Sequence, residues 1–109
     1  MNWEVDSLPE VKRDNQKLDR SQQMIVSKAM KQVQENPLSQ DEGGFGIPSG
    51  HKSGRNLTGL LKVRLKKEEI RIVYKIMCTD TRMLIVVIGV REDEEVHDLA
   101  KHRVMKHNL

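Results

Sequence analysis

The segment Leu57 to Arg91 most constrains what this chain can fold into, because three strand-forming runs follow one another there with only short polar breaks. From Leu60 to Lys67 the side chains alternate, with Leu61, Val63 and Leu65 on one face and Lys62, Arg64 and Lys66 on the other, the period of two that a half-buried strand requires. The run Ile70 to Met77 puts Ile70, Ile72, Tyr74 and Ile76 on one face and Arg71, Val73 and Lys75 on the opposite one. Met83 to Val90 is apolar throughout, which suits a central strand covered on both sides. Consecutive strands of this kind predict an antiparallel meander with one apolar and one positively charged face.

The chain has 109 residues and is expected to form one domain over residues 1–109, with a modest core that needs no disulfide or metal staple. With only three aromatic side chains, Trp3, Phe45 and Tyr74, aliphatic strand residues must supply most of that core. The formal charge of +3 is small, but its distribution is uneven. Seven basic residues (Arg55, Lys62, Arg64, Lys66, Lys67, Arg71, Lys75) lie between Arg55 and Lys75, opposed only by Glu68 and Glu69. A local excess of this kind attracts phosphates or acidic partners. Cys78 is the only cysteine, which excludes an internal disulfide and fits a reducing compartment. The first residues carry neither the charged nor the apolar part of a signal peptide, and the run Met83 to Val90 is too short to span a bilayer. A soluble, cytoplasmic protein with no membrane association is expected.

Before the meander, Trp3-Glu4-Val5 alternates like a short strand. Ser7-Leu8-Pro9-Glu10 has the form of a capping box with proline in the first turn, predicting a helix from about Pro9 to Leu18. Its apolar face is thin, because Asp14 and Asn15 stand at the helical spacings between Val11 and Leu18. Asp19-Arg20-Ser21-Gln22 starts a second helix, with Ile25, Ala29 and Val33 in its stripe beside Met24, Val26 and Met30, ending at Asn36-Pro37. Its methionines read as core filling. Leu38 to Asn56 is glycine-rich with no apolar period, a long loop. Gly46 to Ser53 is no phosphate loop, since its glycine spacing is wrong, no lysine directly follows Gly50, and strand rather than helix comes next. Lys52 and Arg55 of this loop, with Lys66, are candidate RNA-binding residues; a solvated loop is the simpler account. After the meander, acidic residues from Glu92 and basic ones to Lys106 predict a helix from about Asp93 to Met105. The fold class is α+β: an N-terminal helical hairpin on a small, mainly antiparallel twisted sheet, with a C-terminal helix.

The basic face carries the chemistry. Lys62 and Arg64 are two residues apart on one strand, Arg71 opens the next, Arg91 ends the last, and His97 follows early in the terminal helix. Several cations and one imidazole suit stabilisation of a pentacovalent phosphorane together with proton transfer. No carboxylate or histidine pair has metal-ligand spacing, so neither metal nor cofactor is called for. The chemistry implied is RNA cleavage by attack of a 2′-hydroxyl on the adjacent phosphate, which DNA cannot undergo. On composition and spacing alone, a solvating sheet face with a surface histidine is the simpler account, and a basic module that only binds nucleic acid is another.

The order of elements and the sequences Gly59-Leu60-Leu61-Lys62-Val63-Arg64, Arg71-Ile72-Val73-Tyr74, Gly89-Val90-Arg91 and Glu95-Val96-His97 resemble the RelE/ParE superfamily of toxins from bacterial toxin–antitoxin pairs, from Val5 to about Arg103. RelE-type members cut mRNA in the ribosomal A site, whereas ParE-type members inhibit DNA gyrase without cutting RNA. The resemblance implies a RelE-type, metal-independent endoribonuclease whose partners are a cognate antitoxin, the ribosome and mRNA. The alternative is a non-enzymatic gyrase inhibitor of the ParE type. It further implies Lys62 as general base, Arg64 and Arg71 as phosphate holders, Arg91 as the transition-state arginine and His97 as general acid, with the roles of Lys62 and His97 open to exchange. Crowding by Arg64 and Arg71 would favour a neutral lysine. His97 stands where the best-known RelE toxins carry tyrosine, and the glycine-rich loop is longer than in the smallest members.

Overall fold

The computed structural model describes residues 3–38, 40, 43–48, 60–65, 67, 69–77, 81–90 and 93–109. The elements follow in the order β1 (Glu4–Ser7), α1 (Pro9–Gln16), α2 (Arg20–Val33), β2 (Ile47–Pro48), β3 (Leu60–Leu65), β4 (Ile70–Met77), β5 (Arg82–Gly89) and α3 (Asp93–Lys106). Five strands make one sheet in the order β1-β5-β4-β3-β2. The expected meander is present, with β3 antiparallel to β4 and β4 antiparallel to β5. β1 joins β5 in parallel, pairing Glu4 with Arg82 and Ser7 with Ile85, so the sheet is mixed but mainly antiparallel. A parallel neighbour requires a long crossover, and α1, α2 and β2 to β4 provide it.

The alternation read in β4 sets the layers. Ile70, Ile72 and Tyr74 are fully buried on one face, and Val73 on the other is 1 % exposed. In β5, Met83 to Ile88 are all buried, as an apolar run covered on both sides demands. α1 lies against β5, and α3 lies against β4 and β5, contributing Val96 and Ala100 to the shared core.

The helix starts differ in kind. At α2, Asp19 accepts from the Gln22 N–H and Gln22 accepts from the Asp19 N–H, a complete capping box. At α1, by contrast, Ser7 is the last residue of β1, the N-cap is Leu8, and no side chain caps the helix. Parallel pairing with Ile85 holds Ser7 in the strand, and the Leu8 N–H donates to Ile85 O. Glu10 is therefore not a capping residue; its carboxylate reaches Lys106 and His107 across the molecule.

Two other expectations are corrected. The stretch after α2 is not wholly loop: Asn36 and Leu38 are tied to Phe45 and Gly46 by backbone hydrogen bonds, Phe45 N to Asn36 O and Gly46 N to Leu38 O, and β2 pairs with Leu61 and Lys62. The Tyr74 hydroxyl donates to Pro37 O at 2.6 Å, and a Cβ on Gly46 would lie 2.3 Å from that hydroxyl, so only glycine lets the chain pass there. The helix-two methionines also divide, because Met30 is buried whereas Met24 is 68 % exposed; the covered stripe of α2 is Val26, Met30 and Val33. Among the described residues, no helix is long and apolar enough to cross a membrane.

Candidate functional site

Strand register gathers the predicted cations of the meander. Arg64 of β3 stands directly opposite Arg71 of β4, and Lys62 stands opposite Val73. All three side chains share the face that carries Val73 and Lys75, since the β3–β4 register runs without a shift from Leu60↔Lys75 to Leu65↔Ile70. Directly opposed residues have Cβ atoms about 5 Å apart, and like charges placed so repel. An anion held between the two guanidinium groups converts that repulsion into attraction, and planar donors suit a phosphate. Lys62 is diagonal to Arg71 across the ladder, about 7–8 Å away by the usual sheet spacing. Arg64 is exposed, and Lys62 and Arg71 are half-buried.

Glu69, just before β4, sets one side of this cluster. Glu69 adopts a left-handed backbone with φ of 56°, a conformation that costs a side-chain-bearing residue about 1 kcal/mol. The Arg71 guanidinium donates to the Glu69 carbonyl at 3.2 Å, which links the arginine's orientation to that backbone. On the other side, Arg71 pairs with Gly89 at the end of β5. α3 begins at Asp93 and carries the half-buried His97 early in its course. Arg91, and the candidate RNA-binding residues Lys52, Arg55 and Lys66, lie outside the described residues.

Lys75, read from alternation on the face of Arg71 and Val73 but not as a site residue, shares that face with Lys62 and Arg64. One feature escaped the reading of the sequence, a buried ion pair. Asp14 and Arg103 are 7 % and 8 % exposed, and the guanidinium engages the carboxylate through Nη1 to Oδ2 at 2.6 Å and Nη2 to Oδ1 at 3.0 Å. Arg103 Nη1 also donates to Val86 O, and Asp14 Oδ2 accepts from the Ile88 N–H. These backbone groups belong to the part of β5 beyond Ile85, where pairing with β1 stops. The ion pair thus takes the place of ladder hydrogen bonds at a sheet edge. Arg103, which by its position reads as a dipole-complementing residue, fastens α3 to α1 and β5 instead.

Among the described residues, no three His, Cys, Asp or Glu side chains are grouped so as to hold a metal ion. The Tyr74 phenol is pushed up in pKa by burial and sits on the core face, opposite Leu61, so it is a structural hydroxyl.

No family model matches the chain. A curated Escherichia coli protein described as a RelE-like toxin is 27 % identical over 104 residues, covering 95 % of this chain and 99 % of that protein. Among solved structures, a mutant of the E. coli toxin RelE in its free state superposes with a TM-score of 0.74 at 19 % identity, covering 95 % of this chain and 99 % of that one. The intact E. coli RelBE toxin–antitoxin complex gives a TM-score of 0.66 at 17 % identity over 83 % of this chain and 98 % of the matched one. The fold is the RelE fold, and the resemblance read from the strand motifs is borne out by a curated relative and by solved structures.

Proposed function

From a chain that is RelE-like in both sequence and fold, we propose a toxin of a toxin–antitoxin pair that cuts mRNA on the ribosome by metal-independent attack of a 2′-hydroxyl on the adjacent phosphate. The observation that carries this reading is the direct opposition of Arg64 and Arg71 with Lys62 beside them on one face. A scissile phosphate seated between the two arginines has its non-bridging oxygens held by both. Lys62 takes the 2′-hydroxyl proton, the freed oxygen bonds to phosphorus, and the bond to the 5′-oxygen breaks. His97 delivers a proton to that leaving oxygen; the products are a 2′,3′-cyclic phosphate and a 5′-hydroxyl. Arg91 adds positive charge as the phosphorane forms. The roles of Lys62 and His97 exchange if the imidazole starts neutral, since it then accepts the proton without help.

The solved RelBE complex pairs a RelE with its antitoxin, and the same kind of partner is proposed here. The cation face suits an acidic segment that orders on binding and competes with RNA.

Cleavage by purified protein on programmed ribosomes tests the assignment. Arg71→Ala, Arg91→Ala and His97→Ala are each expected to lower the single-turnover rate at least a hundredfold, the scale of one transition-state donor or one proton-transfer group, with ribosome binding little changed. Unchanged rates in all three variants overturn the site. Inhibition of gyrase supercoiling without any RNA cut supports a ParE-type inhibitor instead.

A further inference from the structure

We infer that Lys75 holds a phosphate flanking the scissile one, so that the basic face is a track for single-stranded RNA rather than a single anion site. This inference rests on the proposed RNA substrate. Lys75 stands opposite Leu60 on β3 and next to Leu84 on β5, on the same face as Lys62, Arg64 and Arg71. It is diagonal to Lys62 on the side away from Arg71, because Lys62 pairs with Val73 and lies midway between the two. The cations therefore form a line along the strands: the Arg64–Arg71 pair, then Lys62, then Lys75. Four residue steps of strand separate Arg71 from Lys75, a span of about 13 Å, and side chains that stand roughly perpendicular to the sheet keep the two charges apart.

Chemistry separates the two ends of this line. Guanidinium groups at the Arg64–Arg71 end offer forked donors for a phosphate that changes shape during reaction, whereas a lysine is a point charge on a flexible stem that tracks a backbone without fixing its geometry. Lys75 is half-buried between Leu60 and Leu84, both in the core. Neighbours of that kind cover the aliphatic stem of a lysine, whose charged head favours water. Its contact exists equally in the ground and transition states, so it contributes uniform binding and belongs to KM rather than kcat.

The test compares wild type, Lys75→Gln and Lys75→Arg in two assays. In cleavage on programmed ribosomes, Lys75→Gln is expected to raise KM for the mRNA about fivefold, the worth of one exposed ion pair, at unchanged kcat, and Lys75→Arg to restore it. In binding of a short single-stranded RNA that carries 2′-O-methyl groups to block cleavage, Lys75→Gln is expected to reduce the slope of log affinity against log salt by about 0.7, one phosphate's worth. An unchanged KM together with an unchanged salt slope overturns the inference, as does a fall in kcat at constant KM. The binding assay needs no turnover. If wild type binds RNA but never cuts it, the proposed reaction fails while the salt slope still decides Lys75.

Discussion

At the scale of single residues, the molecule depends on placements that charge and hydropathy describe poorly. Asp14 interrupts the apolar face of α1, yet it is buried because Arg103 reaches it from 89 positions away. Removing one member leaves the other charged and desolvated, and strips Val86 O or Ile88 N of its partner. Asp14→Ala and Arg103→Ala are therefore each expected to cost about 3–5 kcal/mol in urea denaturation. The double variant should lose clearly less than the sum, since no lone buried charge remains. Single losses below about 1 kcal/mol would show the pair to be incidental. Pairs of this kind are invisible in one sequence, because nothing local marks Asp14 as a core residue; the break in periodicity was the only trace. The strand cations are the opposite case. Lys62, Arg64 and Arg71 were legible as one face from alternation, and only the register adds that Arg64 and Arg71 meet head-on.

At the scale of elements, the junction of α1 with α3 answers to acid. Glu10 accepts from His107 Nε2 at 2.9 Å and from Lys106 Nζ at 3.3 Å. The hydrogen bond with His107 comes first among the causes that hold its carboxyl at about 2 instead of the ordinary 4.5, followed by a backbone hydrogen bond. A lowered native pKa means stability that is fully present above about pH 4.5 and is lost as the pH falls toward about 2. Glu10→Gln is expected to flatten that part of the acid limb in a series of urea midpoints taken across this window, while changing the profile little above it. An acid limb identical to wild type would assign the acid sensitivity elsewhere. The sequence misleads at this element: Ser7 and Glu10 have capping-box spacing, but strand pairing claims Ser7 and the far end of the chain claims Glu10. Local motifs predict well only where no distant partner competes, as at Asp19 and Gln22.

At the scale of the whole molecule, the sheet order explains how an unremarkable net charge becomes a concentrated basic face. Antiparallel return brings the end of β3, the start of β4 and the end of β5 together, and α3, which carries His97, follows β5 in the chain. The meander and the three helices were readable from periodicity and from helix start and stop signals. The parallel attachment of β1 and the edge strand β2 were not, since four and two residues carry too little pattern to fix pairing partners. The ends of the cut RNA report most directly on the reaction proposed for this arrangement. The measurement is to map the termini formed when purified protein acts on ribosome-bound mRNA. The account predicts a 2′,3′-cyclic phosphate upstream and a 5′-hydroxyl downstream, and no cut where the upstream ribose is 2′-deoxy; a 3′-hydroxyl with a 5′-phosphate, or cleavage that persists at the deoxy position, would contradict it.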